Sequence, residues 1–245
     1  MNLDKIFDVF TDSEIGQSCE GLDFTPDNYS EVFCPETPGV RIFAKNKEKL
    51  PKITVNNLYA RSESVIFVGR GYDSSLSIHF NGGGSIAVLG DNSKWHQFRG
   101  KVTLNQDAVF LVGRGVSSWN LKANISSPGV LIGDDVMFGH DVNIRTHSGH
   151  CFLDVETNEI TTAFSRLLIE PHVWVGEHVK IFKTSFIGSC SVLGYGSLIV
   201  SDIPRFSWAR GSPAIYGSLN SKLWSRSPKK RDLDKARHFH RKFLD

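Results

Sequence analysis

The chain has 245 residues, a formal net charge of +2 and a mean hydropathy of -0.18. This length allows one large domain with appendages, and the small net charge argues against nucleic-acid binding. No apolar run approaches the roughly 18 residues that cross a bilayer, and no signal-peptide pattern is visible, so we expect a cytoplasmic protein without a transmembrane segment. The four cysteines lack the spacing of a zinc site or a disulfide framework, so we expect buried reduced thiols. They are Cys19, Cys34, Cys151 and Cys190.

The first 50 residues show no repeat and contain several turn signals. Beyond them an aliphatic-glycine motif recurs, since residues 65–71 (VIFVGRG) return as residues 109–115 (VFLVGRG). Repeats of about 20 residues are typical of solenoids. We therefore predict wide coils of a solenoid from near Ile53, with residues 1–50 as a cap over the otherwise unpaired edge of the first coil. The glycines that mark these coils lie 21, 23 and 20 residues apart, at Gly69, Gly90, Gly113 and Gly133.

Residues 169–204 repeat with a shorter period of six. A helix with 3.6 residues per turn does not fit this period, whereas a short strand followed by a sharp corner does. Three such sides close a coil of about 18 residues. Glycine recurs at the second position of the block, in Gly176, Gly188 and Gly194, which we attribute to unusual corner dihedrals. The residues that open the blocks are predicted to point inward, namely Ile169, Val175, Ile181, Ile187, Leu193 and Ile199.

The repeat is interrupted once. It is visible from residue 132, is broken by residues 149–168, and then resumes at residue 169. An interruption of this kind is typical of a loop ejected from one corner of a rigid scaffold, where function tends to lie. We therefore predict a β-helix domain over residues 51–215, with a functional loop at residues 149–168.

Residues 216–245 are predicted to form a basic tail, because the repeat ends at Pro204, which cannot donate to a strand ladder. Nine Lys or Arg lie between Lys222 and Lys242, against Asp232 and Asp234. They suit either attraction of an anionic polysaccharide or coenzyme phosphates, or plain solvation of a helix. Residues 232–244 predict a short amphipathic helix that caps the far end of the solenoid. Its apolar face would contain Leu233, Ala236, Phe239 or His240, and Phe243.

Four short motifs carry a resemblance to a known family. They are residues 148–150 (SGH), 173–176 (VWVG), 181–184 (IFKT) and 211–214 (GSPA). With them the chain resembles the hexapeptide-repeat acetyltransferases, and most of all the bacterial O-acetyltransferases that modify capsular and exopolysaccharide sugars, including sialic acid. The resemblance implies an all-β, left-handed parallel β-helix and a homotrimer. It also implies acetyl-CoA as co-substrate, a carbohydrate acceptor and no metal.

The same resemblance implies the site residues. His150 is the expected general base for the attacking sugar hydroxyl. Trp174 either covers a coil corner or, as in the family, lines the acetyl-CoA tunnel and donates its indole N–H to substrate or oxyanion. No separate nucleophile with a paired base is evident, so direct transfer in a ternary complex is the simplest scheme. Co-substrate contacts are expected from Trp174, Lys183, Thr184, Gly194, Gly211, Ser212 and Pro213.

Three positions depart from the family pattern. Ser148 stands where the family has an aspartate, so Asp154 or a backbone carbonyl is expected to orient the imidazole of the base. The loop asparagine is replaced near residues 161–162. Ile215 stands where the family has a terminal lysine, and Arg210 or a tail lysine is expected to contact the coenzyme phosphate instead.

Alternatives remain for the base and for the function. His147 is the base if the motif is misregistered, and the outward corner histidines, His140, His172 and His178, are expected to be solvated or at a subunit interface. A β-helical carbonic anhydrase would need three histidines that converge on zinc. His172 and His178 lie on different sides of one coil, which argues against it. A non-catalytic solenoid and an acetyltransferase of an amino sugar, serine or a drug stay open.

Overall fold

A computed structural model of the chain describes residues 3–32, 37–45, 53–57, 63–71, 75–93 and 95–244. Cys34 lies outside the described residues. Cys19 and Cys190 are buried as expected, whereas Cys151 is exposed because it lies on a projecting hairpin. No helix in the described part of the chain is long and apolar enough to cross a bilayer.

The described residues form three α-helices, one 3₁₀ turn and 22 strands. The helices are α1 (Lys5–Val9), α2 (Asp12–Ser18) and α3 (Lys230–Lys242), and the 3₁₀ turn is Pro26–Asn28. The strands are β1 (Ser30–Val32), β2 (Val40–Ala44), β3 (Ile53–Asn57), β4 (Ser64–Val68), β5 (Leu76–Asn81), β6 (Ile86–Leu89), β7 (Phe98–Asn105), β8 (Val109–Val112), β9 (Ser118–Ile125), β10 (Gly129–Ile132), β11 (Met137–Phe138), β12 (Asn143–Arg145), β13 (His147–Leu153), β14 (Ile160–Phe164), β15 (Leu167–Ile169), β16 (Trp174–Val175), β17 (Lys180–Phe182), β18 (Phe186–Ile187), β19 (Val192–Leu193), β20 (Leu198–Ile199), β21 (Ser207–Gly211) and β22 (Ala214–Ser218).

Most strands belong to three sheets in which successive coils pair in parallel. The first sheet has the order β1-β2-β4-β6-β8-β10-β15-β18, the second β20-β17-β12-β9-β7-β5-β3, and the third β11-β16-β19-β21-β22. From β10 onward the chain visits the first, third and second sheets in turn, and each strand pairs with its counterpart one coil later. The chain is therefore a three-sided parallel β-helix, with β1 and β22 added antiparallel to their sheets.

The last coils follow the period that the sequence predicts. Strands begin at residues 174, 180, 186, 192 and 198, six residues apart, and the six residues that open the blocks are buried. Of the six residues at the fifth position of these blocks, Ser185 alone is exposed. The N–H and the hydroxyl of Ser185 both donate to the carboxylate of Asp202, each at 2.9 Å, while the neighbouring Thr184 is buried.

The block glycines do not have the unusual dihedrals that we expected. Gly176, Gly188 and Gly194 are absent from the residues with positive φ, whereas the corners at His172 and His178 have φ of 57°. The glycines serve close packing of the coils instead, since a Cβ on Gly188 would lie 2.3 Å from the backbone nitrogen of Arg205 in the next coil. Glycine is needed there because backbone, unlike a flexible side chain, cannot move aside.

The N-terminal helices cover a side of the solenoid rather than its end. The strands of the first sheet are apolar on both faces, and Ile6, Phe10 and Ile15 pack on the outer one. Burial on both faces is what continuous apolar strands require. The edge of the first sheet is covered by β1, and β2 already pairs in parallel with β4, so the coils begin before residue 51.

The C-terminal helix also lies along the side. Phe239 of α3 and Phe243, which directly follows the helix, pack against Cys190 at the corner where the chain passes from the first sheet to the third, with Phe206 beside them. Ala236 is buried on the same face, as predicted. The helix therefore does not cap the end, because its apolar face matches a column of corners and not the last coil.

Candidate active site

A groove of about 830 Å³ runs along the outer face of the third sheet. Its floor is a column of glycines, because Gly139, Gly176 and Gly194 each follow a strand of this sheet at the same register. The absence of side chains at these positions lets successive coils pack closely, since a Cβ on Gly139 would lie 2.7 Å from Glu177 N and one on Gly176 would lie 2.7 Å from Leu193 O.

Aromatic side chains form the walls of this groove. Trp119, Trp174 and Tyr195 line it and are 57%, 40% and 72% exposed. The Trp119 ring stacks on His140, with 5.4 Å between the ring centres. The guanidinium of Arg99, on a neighbouring coil, lies 4.9 Å from the centre of the Trp119 ring. Rings with this exposure offer apolar area to a ligand at little conformational cost.

The structure brings some of the expected co-substrate residues to the groove. Trp174 and Gly194 line it directly. A second cavity of about 420 Å³ continues past Gly194 to Trp208 and Arg210, whose guanidinium lies 4.7 Å from the Trp208 ring. Gly211, Ser212 and Pro213 follow at the turn between β21 and β22, and Ile215 pairs with Arg210 across it.

Lys183 and Thr184 do not reach the groove of their own chain. They lie at the corner between the second and first sheets, away from the third. The Thr184 hydroxyl donates to Asp202 at 2.9 Å, and the Lys183 ammonium lies 5.3 Å from the Phe182 ring. The hydroxyl is therefore already occupied by a structural hydrogen bond.

His150 lies on an arm that projects from the solenoid. The arm is the antiparallel hairpin of β13 and β14, and its exposed apolar side chains include Phe152, Val155 and Ile160. His150 lines a cavity of about 450 Å³ on this arm, which contains none of the residues of the groove. One chain therefore holds the expected base and Trp174 in separate cavities.

Asp154 does not orient the imidazole of His150 in this structure. Its carboxylate accepts from the N–H groups of Glu156 and Thr157 at 2.9 and 2.8 Å, which closes the tip of the arm. The Ser148 hydroxyl donates to the His150 carbonyl at 2.8 Å and so fixes the backbone instead. Of the two groups expected to orient the imidazole, Asp154 is not available in this structure, because the tip turn uses its carboxylate for backbone amides.

His147, the alternative base, is held in a different environment. Its Nε2 lies 3.0 Å from Asn124 Oδ1 and 3.3 Å from Asn105 Nδ2, and its ring stacks on Phe164 at 6.2 Å. Burial lowers the pKa of His147, and the charge of Arg145 lowers it further. The ring thus sits in a polar ladder between coils, as a structural group does.

His172 was expected to be solvated or at a subunit interface, and it is buried within its own chain with 1% of its surface exposed. Its Nδ1 lies 2.8 Å from Asp135 Oδ2, and its ring stacks on Trp224 at 4.1 Å. Burial alone would raise the pKa of Asp135, but the hydrogen bond from His172 and the charges of Arg226 and Lys235 hold it well below the usual range. No sequence pattern joins positions 172 and 224, so residue spacing gave no signal for this contact.

Metal ligation has no visible basis in the described part of the chain. No group of three or more His, Cys, Asp or Glu side chains is placed there so that it could hold an ion. The fold and the groove together define a β-helical protein with an open, aromatic-lined groove along its coils.

Comparison with known proteins gives the family. No model of a known protein family matches the chain. The chain is 32% identical over 104 residues to the galactoside O-acetyltransferase of Lactococcus lactis subsp. lactis (strain IL1403), which covers 42% of this chain and 49% of that protein. It is 30% identical over 148 residues to Escherichia coli (strain K12) WbbJ, which is named for O-acetyl transfer in lipopolysaccharide biosynthesis. That alignment covers 53% of this chain and 74% of WbbJ.

The fold has a counterpart among solved structures. The polySia specific acetyltransferase NeuO superposes with a TM-score of 0.62 at 23% identity, over 84% of this chain and 95% of NeuO. The chain spans about half the length of the Lactococcus relative. It belongs to the hexapeptide-repeat O-acetyltransferases, because the alignment with WbbJ spans most of that protein. This confirms the family resemblance that the four sequence motifs carry.

Proposed function

We propose that the protein transfers an acetyl group from acetyl-CoA to a hydroxyl of a sugar in a bacterial polysaccharide, in the cytoplasm. The observation that carries the proposal is the groove, in which a glycine floor and Trp174 lie together on the third sheet. Sugar O-acetyl transfer is named for the Lactococcus and E. coli relatives. The exposed rings of the groove offer apolar area that suits the pantetheine arm of a coenzyme.

The chemistry needs a base and an oxyanion donor. The sugar hydroxyl attacks the thioester carbonyl, and its proton passes to the neutral imidazole of His150. The carbonyl oxygen gains negative charge as the tetrahedral intermediate forms, and the indole N–H of Trp174 is the proposed donor. Collapse of the intermediate expels the thiolate of the coenzyme, which takes the proton. No covalent enzyme intermediate is required.

A homotrimer completes this site in our proposal. His150 and Trp174 line separate cavities of one chain, so the arm of one copy is proposed to reach the groove of its neighbour. The exposed apolar side chains of the arm, Phe152, Val155 and Ile160, suit burial in such an interface. We also propose that the β-helix of this chain winds in the left-handed sense of the family.

The co-substrate would lie along the groove towards the last coils. Gly194 and the turn at Gly211, Ser212 and Pro213 would approach the pantetheine arm, and the guanidinium of Arg210 would meet a phosphate. Lys183 and Thr184 take part in this arrangement only from a neighbouring copy, since they face away from the groove of their own chain.

Thiol release from acetyl-CoA tests the function, with sialic-acid polymers, neutral capsule-type oligosaccharides, amino sugars and serine as acceptors. We expect release with a saccharide, and a loss of 10²–10⁴-fold in kcat, roughly the worth of a general base, in His150→Ala. His147→Ala is the matched control, because it removes the same side chain from the structural ladder, and it should keep most of the rate. More than about a tenth of the wild-type rate in His150→Ala would contradict the base assignment. If no acceptor gives thiol release and calorimetry detects no binding of acetyl-CoA, the result would favour a non-catalytic solenoid.

A further inference from the structure

The segment between β22 and α3 returns from the last coil to the middle of the solenoid. We call residues 219–229 the strap. Trp224 in the strap is buried, and its indole N–H donates to the His172 carbonyl at 2.8 Å. In return, Nε2 of His172 lies 3.1 Å from the Trp224 carbonyl oxygen, and the two rings stack at 4.1 Å. The strap is thus fixed to a corner that precedes it by 52 residues.

Arg226 fixes the strap to earlier coils. Its Nε donates to Asp135 Oδ1 at 2.9 Å and its Nη1 to Ser117 Oγ at 2.8 Å. Its Nη2 donates to the carbonyl oxygens of Gly115, Asp135 and Val136. A planar fork with five donors fits such a set of acceptors, whereas a lysine would not. Because each of its three nitrogens donates to the coils, Arg226 acts as an anchor of the strap.

Asp135 joins the two anchors. Its carboxylate accepts from His172 Nδ1 at 2.8 Å, from Arg226, and from the Lys235 ammonium of α3 at 3.0 Å. The side chain is almost fully buried, so removal of one cation would leave its charge poorly compensated. The strap is therefore held by a network rather than by isolated surface contacts.

The strap also forms part of the groove. Arg226 lines the groove together with Ser117, Met137 and Trp174. The Trp224 ring lies 6.1 Å from the Trp174 ring at an angle of 44°. Within the described residues, Trp174 contacts no other aromatic ring, and its indole N–H has no hydrogen-bond partner. Trp224 therefore restricts the orientation of this exposed indole from behind, in addition to Met137 and Val192 at the same register in the adjacent coils.

We propose that Trp224 and Arg226 are positioning residues, which hold the indole of Trp174 in the orientation that the groove uses for acetyl transfer. The proposal rests on the function proposed above, because it gives Trp174 its role through that function. Displacement of a reacting or donating group by about 1 Å is enough to cost up to 10²-fold in rate. Loss of the strap anchors should therefore reduce kcat although neither residue touches the reacting atoms.

The test uses the full-length protein with 5-fluorotryptophan. Its five tryptophans give five ¹⁹F signals, which are assigned by replacing each one in turn with phenylalanine. In Arg226→Gln we expect the Trp174 signal to shift and broaden, and kcat to fall about tenfold. The control is Arg41→Gln, which breaks an ion pair with Glu31 on the first coils, far along the chain from the groove, and should change neither. An unmoved Trp174 signal in folded Arg226→Gln would overturn the proposal.

A milder variant covers the case in which Arg226→Gln does not fold. Trp224→Phe keeps a ring to stack on His172 but removes the indole N–H and part of the contact with Trp174. We expect it to fold and still to move the Trp174 signal, and an unchanged signal would count against the proposal. The ¹⁹F readout needs no turnover. A moved signal in a protein that acetylates nothing would contradict the proposed function but leave the hold of the strap on Trp174 in place. Full turnover in Arg226→Gln would contradict the positioning role and leave the proposed function in place.

Discussion

The outer faces of the first and third sheets differ in how the chain covers them. The first presents a row of buried aliphatic and aromatic side chains to α1 and α2, with Phe67 stacked on Phe43 at 5.0 Å. The third has glycines and partly exposed rings, and the strap passes beside it with Arg226 in the lining of the groove. Both faces belong to the same coils, so the coils alone do not decide which face is open to solvent. The N-terminal helices decide it, because they cover the outer face of the first sheet.

Removal of a buried ring from the N-terminal helical segment that covers the first sheet should have the largest effect on stability. Phe10 follows α1 and is fully buried, so we expect Phe10→Ala to lower the free energy of unfolding by about 3–5 kcal/mol. Phe7→Ala is the matched control, because Phe7 is 41% exposed and its ring meets Phe24 edge-on at 5.5 Å. We expect that control to cost about 1 kcal/mol in urea unfolding. Equal losses of unfolding free energy in the two variants would mean that burial of Phe10 does not hold the N-terminal segment on the first sheet.

A methyl group between coils should have the next largest effect. In Gly188→Ala the Cβ would lie 2.3 Å from Arg205 N and 2.7 Å from Pro204 C, so we expect a loss of about 2–3 kcal/mol in the free energy of unfolding. Gly16→Ala in α2 makes the same change where nothing lies within 4 Å. That control should stabilise the protein by about 0.5–1 kcal/mol, since alanine is the better helix former. A neutral Gly188→Ala would contradict the close packing of coils at this corner.

The contact between the N-terminal segment and the solenoid at Asp134 should make the free energy of unfolding depend on pH. Asp134 accepts from the N–H of Glu20, and burial raises its pKa to about 6, against partial opposition from hydrogen bonds and the charge of Arg114. Its folded pKa exceeds the unfolded value near 3.9, so its contribution to stability is full below that value and is lost as the pH rises through about 6. Asp134→Asn removes this dependence. We expect the stability of wild type relative to the variant to fall by about 2 kcal/mol between roughly pH 4.5 and 7.5, measured by urea unfolding. Parallel curves for the two proteins would show that the carboxyl does not titrate in this range.

The fold was largely predictable, and the candidate site only in part. The period of six placed the interior residues of the last coils, because stacked coils put identical positions above one another. Trp174, from the motif at residues 173–176, and Gly194, from the six-residue repeat, were both expected to contact the co-substrate, and both line the groove. The position of His150 relative to that groove could not be predicted, since the arm leaves the repeat and its geometry is set by its own turn at Asp154. The partner of His172 was missed for a related reason, because a loop outside the repeat supplies it.

The sequence by itself determined the coil, its register and the family, since each depends on contacts between positions a fixed number of residues apart. A pattern of this kind repeats along the chain, so it can be recognised from a single sequence. Only the tertiary structure decided that the N-terminal helices cover the first sheet, that the groove lies on the third, and that Trp224 reaches His172. These contacts join segments of unrelated spacing, and they form wherever apolar area and buried charge find partners.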